Sequence, residues 1–148
     1  MYKHILLATE LINVSHAVEE QAATMQNLTG AKLSIIYVIE PVPSAYAVSE
    51  AAIAYDYKKN SKSLEKKVLK LIENLERRLN ISDTRVVISN GLVSDEILRY
   101  ANNENIDLII IGSHGCHGIK LLLGSTANAV LHEAKCDVLA VRIKEEEE

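Results

Sequence analysis

Apolar residues follow two alternating rhythms along the chain. Short, nearly unbroken apolar runs occur at residues 5–9 (ILLAT), 33–39 (LSIIYVI), 85–88 (RVVI), 108–111 (LIII) and 138–143 (VLAVRI). Runs of this length without polar alternation suit strands covered on both faces, as in parallel sheets. Between them the apolar positions recur every three or four residues, the period of an amphipathic helix. Ser15 is a candidate cap for a helix to about Leu28, with Ala17, Val18, Ala22, Met25 and Leu28 at helical spacing and Gly30 at the C-terminal stop. Pro41-Val42-Pro43 breaks the pattern, and residues from about Ala45 to Leu79 read as helical, with the conformation of residues 41–60 left open by the pattern. The later half carries one stripe through Leu64, Val68, Leu71, Ile72, Leu75 and Leu79. Asn90-Gly91 turns the chain, and Ser94 reads as an N-cap with Asp95 and Glu96 behind it, in a helix ending near Asn105. A last short helix is expected over residues 126–134.

The order is therefore β-α-β-α-β-α-β-loop-α-β, which implies parallel crossovers and an open α/β sheet. Ligands of such sheets sit outside the carboxyl ends of the strands, at the point where strand order reverses. If the first and fourth strands are neighbours, Thr9 and Glu10 face the residues after the fourth strand across one crevice.

That stretch carries the candidate chemistry. Residues 107–126 read DLIIIGSHGCHGIKLLLGST, and four of the chain's six glycines lie in it. A glycine loop between a strand and a helix start exposes main-chain N–H groups to an anion without a Cβ in the way. The expectation is a nucleotide whose phosphates lie on this loop. The alternative is a glycine-rich turn with an ordinary cap at Ser125 or Thr126. Gly118-Ile119-Lys120 lacks the Gly-Lys-[Ser/Thr] of a Walker A loop. Gly112-Ser113-His114-Gly115 also matches the GXXG of a KH module, but that loop joins two helices, whereas this one follows a strand.

Composition narrows the classes. A chain of 148 residues with 48% hydrophobic and 24% charged residues is expected to form one globular domain, residues 1–144, with the acidic stretch 145–148 as a solvated tail. The net charge of −4 disfavours a nucleic-acid surface. No apolar run has membrane-spanning length, and Cys116 and Cys136 make no disulfide framework, so a cytoplasmic protein with no membrane partner is expected. His114, Cys116 and His117 are three candidate metal ligands without an identifiable fourth. The lysines Lys58, Lys59, Lys62, Lys66, Lys67 and Lys70 interleave with Glu65, Glu73 and Glu76, as on a solvated helix face. Lys120 is a candidate phosphate neighbour or a solvated loop lysine.

These residues resemble the universal stress protein family over essentially the whole chain. The resemblance is carried by Lys3-His4-Ile5-Leu6-Leu7-Ala8-Thr9-Glu10, Tyr37-Val38-Ile39-Glu40, Asn90-Gly91 with Asp95-Glu96-Ile97, and above all Gly112-x-x-Gly115 followed by Gly124-Ser125. The ATP-binding branch has G-x2-G-x9-G-[ST] here; this chain has eight residues between Gly115 and Gly124, and Glu10 where aspartate is usual. The resemblance implies a Rossmann-like open twisted sheet of five parallel strands with helices on both faces. It implies a homodimer and an adenine nucleotide (ATP, or ADP or AMP, with Mg²⁺ as a candidate companion). Carried over, Thr9 and Glu10 border the adenosine, Val38 touches the adenine and Gly112 approaches the ribose, while Gly115, Gly124, Ser125 and Thr126 surround the phosphates. Ala8, Ile111, Ser113 and His114 complete the candidate nucleotide-binding set, the last two contacting ligand by backbone or side chain. The dimer is expected through the last strand, from Val138 to Ile143, whose apolar edge needs a cover. Nucleotide binding is expected to order the loop and change the surface offered to a protein partner. Only Glu10, Lys120 and main-chain N–H groups are candidates for assisting phosphoryl transfer, so slow hydrolysis at most is expected.

Overall fold

The computed structural model describes residues 1–11, 15–40, 50–113 and 123–143, with residues 50–61 described by their backbone alone. The elements are β1 (His4–Ala8), α1 (His16–Thr29), β2 (Lys32–Ile39), α2 (Glu50–Leu79), β3 (Arg85–Asn90), α3 (Val93–Asn103), β4 (Leu108–Gly112), α4 (Ser125–Glu133) and β5 (Asp137–Val141). The proline break at 41–43, the first residues of the expected second helix, His114 to Leu122 and the acidic tail lie outside the described residues.

The five strands form one parallel sheet in the order β3-β2-β1-β4-β5. Strand parity divides the core. Ile5 and Leu7 of β1 join Leu33, Ile35 and Ile110 beneath α1 and α2, where Val18, Ala22, Val68 and Ile72 meet them. Leu6 of β1 joins Ile36, Ile109 and Ile111 beneath α3 and α4, with Ile97, Tyr100, Ala127 and Val130. Both faces are covered, which is why β1 and β4 read as unbroken apolar runs. Ser34, fully buried, accepts the Tyr100 hydroxyl at 3.2 Å and lies 2.8 Å from His4 Nε2, so this polar group beneath α3 is satisfied internally.

Helix ends follow the turn chemistry with two corrections. Gly30 takes φ +69° and donates its N–H to Gln26 O at 2.8 Å, the left-handed stop expected at α1. Ser15 is the residue before α1, but its side chain makes no capping bond. The second correction is at α3, which starts at Val93 with extended Leu92 as its N-cap, so Ser94 lies inside the first turn. The cause is Gly91: its N–H bonds Ile39 O and its φ of +148° redirects the chain one step early. The helix ends at Asn103, and Asn105 adopts φ +53° before β4, a conformation asparagine tolerates.

Candidate functional site

The reversal point of the sheet lies between β1 and β4, whose registers pair Ile5 with Leu108 and Leu7 with Ile110. Their carboxyl ends therefore stand side by side. The structure brings together Ala8, the last residue of β1, with Thr9 and Glu10 after it, and Ile111 and Gly112, the last residues of β4, with Ser113 after them. Val38 lies on β2 beside Ser89 of β3, and packs against the α3/α4 cluster. Gly124, Ser125 and Thr126 form the start of α4. His114 and Gly115 lie outside the described residues.

Several of these groups are already engaged. Strand parity puts the Thr9 side chain on the α1 face with Ile5 and Leu7. Its hydroxyl donates to Glu19 Oε1 at 2.9 Å and accepts the Leu11 N–H at 3.0 Å. Leu11, with φ +56°, completes a tight turn behind Glu10, whose side chain is exposed. Gly112 sits where a Cβ would lie 2.7 Å from Ile143 Cδ1 and 3.4 Å from Val18 Cγ2. The missing Cβ therefore makes room for the chain beyond β5 on the α1 side of the sheet.

Ser113 is the junction of the region. Its N–H donates to Val141 O at 2.8 Å, its carbonyl accepts the Gly124 N–H at 2.7 Å, and its Oγ accepts the Ile143 N–H at 3.4 Å. The glycine loop thus leaves and returns at one clipped pair of residues. Because Gly124 spends its N–H on Ser113, the donors that α4 can offer an anion begin at Ser125. The first bond inside α4 is Asn128 N–H to Gly124 O, so the N–H groups of Ser125, Thr126 and Ala127 have no acceptor within the helix.

Two charged clusters lie at the carboxyl ends of β1 and β3, and neither pairing was read from sequence. Glu19 of α1 is only 2% exposed. It pairs with Arg78 near the end of α2. Burial pushes its carboxyl above the ordinary range, against the opposing pull of the Thr9 hydroxyl and the Arg78 charge. The signal was present: a charge in α1 between Val18 and Ala22, on the apolar stripe. At the end of β3, Glu96 accepts the Ser89 hydroxyl and an Arg99 N–H at 2.6 Å, and its side chain stacks over Gly91. The Arg99 bond, seconded by Ser89, holds Glu96 below the usual carboxylate range.

Among the described residues no group of three His, Cys, Asp or Glu side chains is placed to hold a metal, and no helix is long and apolar enough to cross a membrane. At the opposite, amino ends of the strands, Asp107 accepts the Lys3 and His4 N–H groups, and Asp137 accepts the Tyr2 hydroxyl at 2.8 Å. Cys136 beside them is half-buried and packs in the α3/α4 cluster, and burial pushes its thiol up, so it behaves as a small apolar residue.

The family model for the universal stress proteins matches residues 1–142. The chain belongs to this family. Universal stress protein A homolog 2 of Coxiella burnetii is 42% identical over 144 residues, covering 97% of each chain. Among solved universal stress proteins, UspA from Lactobacillus plantarum superposes with a TM-score of 0.76 at 22% identity, covering 97% of this chain and 98% of that one. Two others were solved with nucleotides. One, in complex with cAMP, has a TM-score of 0.70 at 20% identity and covers 97% of this chain and 98% of its own. The other, from Archaeoglobus fulgidus in complex with dAMP, has a TM-score of 0.63 at 19% identity, with the same coverage. The sheet order and its four helices are those of the Rossmann-like fold of this family.

Proposed function

We propose that this universal stress protein binds an adenine nucleotide, ATP in the first instance, at the β1/β4 reversal point and acts as a homodimeric cytoplasmic switch in stress response. One observation carries the reading. The ends of β1 and β4 are adjacent, and the Ser113–Gly124 clip returns the glycine loop to that crevice with the N-terminal donors of α4. Two family members solved with cAMP and dAMP support the ligand class.

In this reading Ala8, Glu10, Val38 and Ile111 border the nucleoside. Thr9 acts through the turn it holds, and the main chain of Gly112 and Ser113 forms the ribose side. His114, Gly115, Ser125 and Thr126 surround the phosphates, with Gly124 closing the loop and Mg²⁺ as a candidate companion. β5 is an edge strand with half-buried apolar residues, and a second copy pairing there would supply its missing neighbour. Nucleotide occupancy then sets the surface that the loop offers to a protein partner.

A second reading is a nucleotide-independent adaptor whose glycine loop is structural. The internal engagement of Gly112, Ser113 and Gly124 favours it. Calorimetric titration of ATP with Mg²⁺ into nucleotide-stripped protein separates the two. Saturable binding near one site per chain, lost in Gly115→Val, is expected, because a Cβ there would block approach to the phosphates. Absence of heat and of thermal stabilisation at millimolar ATP would leave the adaptor.

A further inference from the structure

We propose that Glu19 is a positioning residue for the nucleotide crevice: its ionised carboxylate, held by Arg78, fixes the Thr9 hydroxyl and through it the Thr9–Leu11 turn at the end of β1. The inference rests on the nucleotide reading of that crevice for its effect on affinity, but its geometry stands apart from it.

A carboxylate accepts and cannot donate, whereas a hydroxyl has one proton and two lone pairs. Glu19 Oε1 takes the only proton of Thr9 Oγ1, at 2.9 Å. The lone pairs of Oγ1 are then free for the Leu11 N–H at 3.0 Å. Arg78 donates to Oε2, so every bond in the series has one allowed direction. The series crosses three elements, α2, α1 and the end of β1. It terminates on a residue held in the left-handed region, Leu11 at φ +56°, which a leucine adopts only under constraint. Glu10, the acidic side chain of the crevice, lies between the two residues so fixed.

Burial supplies the second half of the argument. Glu19 is 2% exposed, and an ionised carboxylate that deep persists only with partners. Packing alone would favour an apolar residue here, since Val18, Ala22 and Ala23 around it are all buried. Removing the charge at Glu19, or its counter-charge at Arg78, lets the Thr9 hydroxyl turn, and Leu11 loses its acceptor.

The test uses the full chain. Glu19→Gln keeps the size but puts a donor beside Oγ1. Arg78→Met removes the counter-charge from a side chain that is one-third exposed, leaving the α1 packing untouched. Two readouts are taken at neutral pH: hydrogen exchange of the Leu11 amide without nucleotide, by NMR, and calorimetric affinity for ATP with Mg²⁺. Both variants are expected to speed Leu11 exchange while the Ile5 and Leu7 amides keep their protection. Both are expected to weaken ATP about five- to tenfold, the order of exchanging a charged for a neutral hydrogen bond.

Leu11 exchange at the parental rate in both variants overturns the proposal, whatever happens to affinity. Faster Leu11 exchange with unchanged ATP affinity in a parent that binds ATP also overturns it, because the turn would then not serve the site. If the parent does not bind ATP, the functional reading fails separately, and the exchange data alone decide whether Glu19 sets the turn.

Discussion

Gly112→Ala, alone and with Ile143→Val, examines how the end of β4 is built. The added Cβ would fall 2.7 Å from Ile143 Cδ1, roughly 1 Å inside the ~3.5–4.0 Å of ordinary carbon contact. Overpacking costs about 1–3 kcal/mol, and the low end applies because Cδ1 is the far end of a half-buried side chain. A Gly→Ala change returns about 0.4–1 kcal/mol by restricting the unfolded chain. The net loss for Gly112→Ala is then about 0.5 kcal/mol. Ile143→Val deletes the offending methyl at about 0.5 kcal/mol, the low end for Ile→Val. With that methyl gone, the nearest atoms stand at 3.4 Å, ordinary contact. The double variant should therefore lie near the parent, with a coupling of about 1 kcal/mol where independent sites would give none.

Urea unfolding at fixed protein concentration reads this out. With a slope of about 2 kcal/mol/M, Gly112→Ala lowers the midpoint by about 0.25 M, and adding Ile143→Val restores most of it. Additive midpoint shifts would refute the packing account and return the absence of a side chain at Gly112 to ligand approach alone.

Two further outcomes follow from the described contacts. Glu96 has its carboxyl held below the unfolded value of 4.5 by Arg99 and Ser89. Its contribution is thus full above the unfolded value and is lost as pH falls through the lower folded value. The stability gap between the parent and Glu96→Gln should shrink on acidification below about pH 5, and a gap constant with pH would contradict the assignment. Val141→Pro removes an N–H from the edge strand β5. Light scattering should report monomer or misfolded chain, and an unchanged dimer mass would contradict the proposed β5 interface.

The sheet was legible because a strand covered on both faces has no choice but a continuous apolar run, as in Leu108 to Ile111. The adjacency of β1 and β4 was not, since no local pattern records which non-consecutive strands pair. Alternation along β1 already implied that Thr9 shares a face with Ile5 and Leu7, so its hydroxyl looks toward α1. Motif reading gave Thr9 to the ligand because the motif carries no side-chain direction. Ser94 looked like a cap from its type alone, but the cap position was decided by the backbone of Gly91. Gly112 read as a ligand-facing glycine. The group that requires it, Ile143, comes from the far end of the chain, and such a partner leaves no trace in local sequence. The charge of Glu19 on the apolar stripe of α1 was visible, but its partner Arg78, on a different helix, was not, for the same reason.

The clip between Ser113 and Gly124 has a consequence for loop length. Closing a loop costs entropy that grows only with the logarithm of its length, about 0.6 kcal/mol per doubling. Adding or losing one residue between fixed ends of this span therefore changes folding free energy by about 0.1 kcal/mol, well below thermal energy. The intervening segment can gain or lose residues while the sheet, α4 and the β5 edge keep their register. This chain, one residue shorter there than the ATP-binding pattern, differs from it by a step of that size. The junction thus uncouples the length of the intervening segment from the packing of the elements on either side.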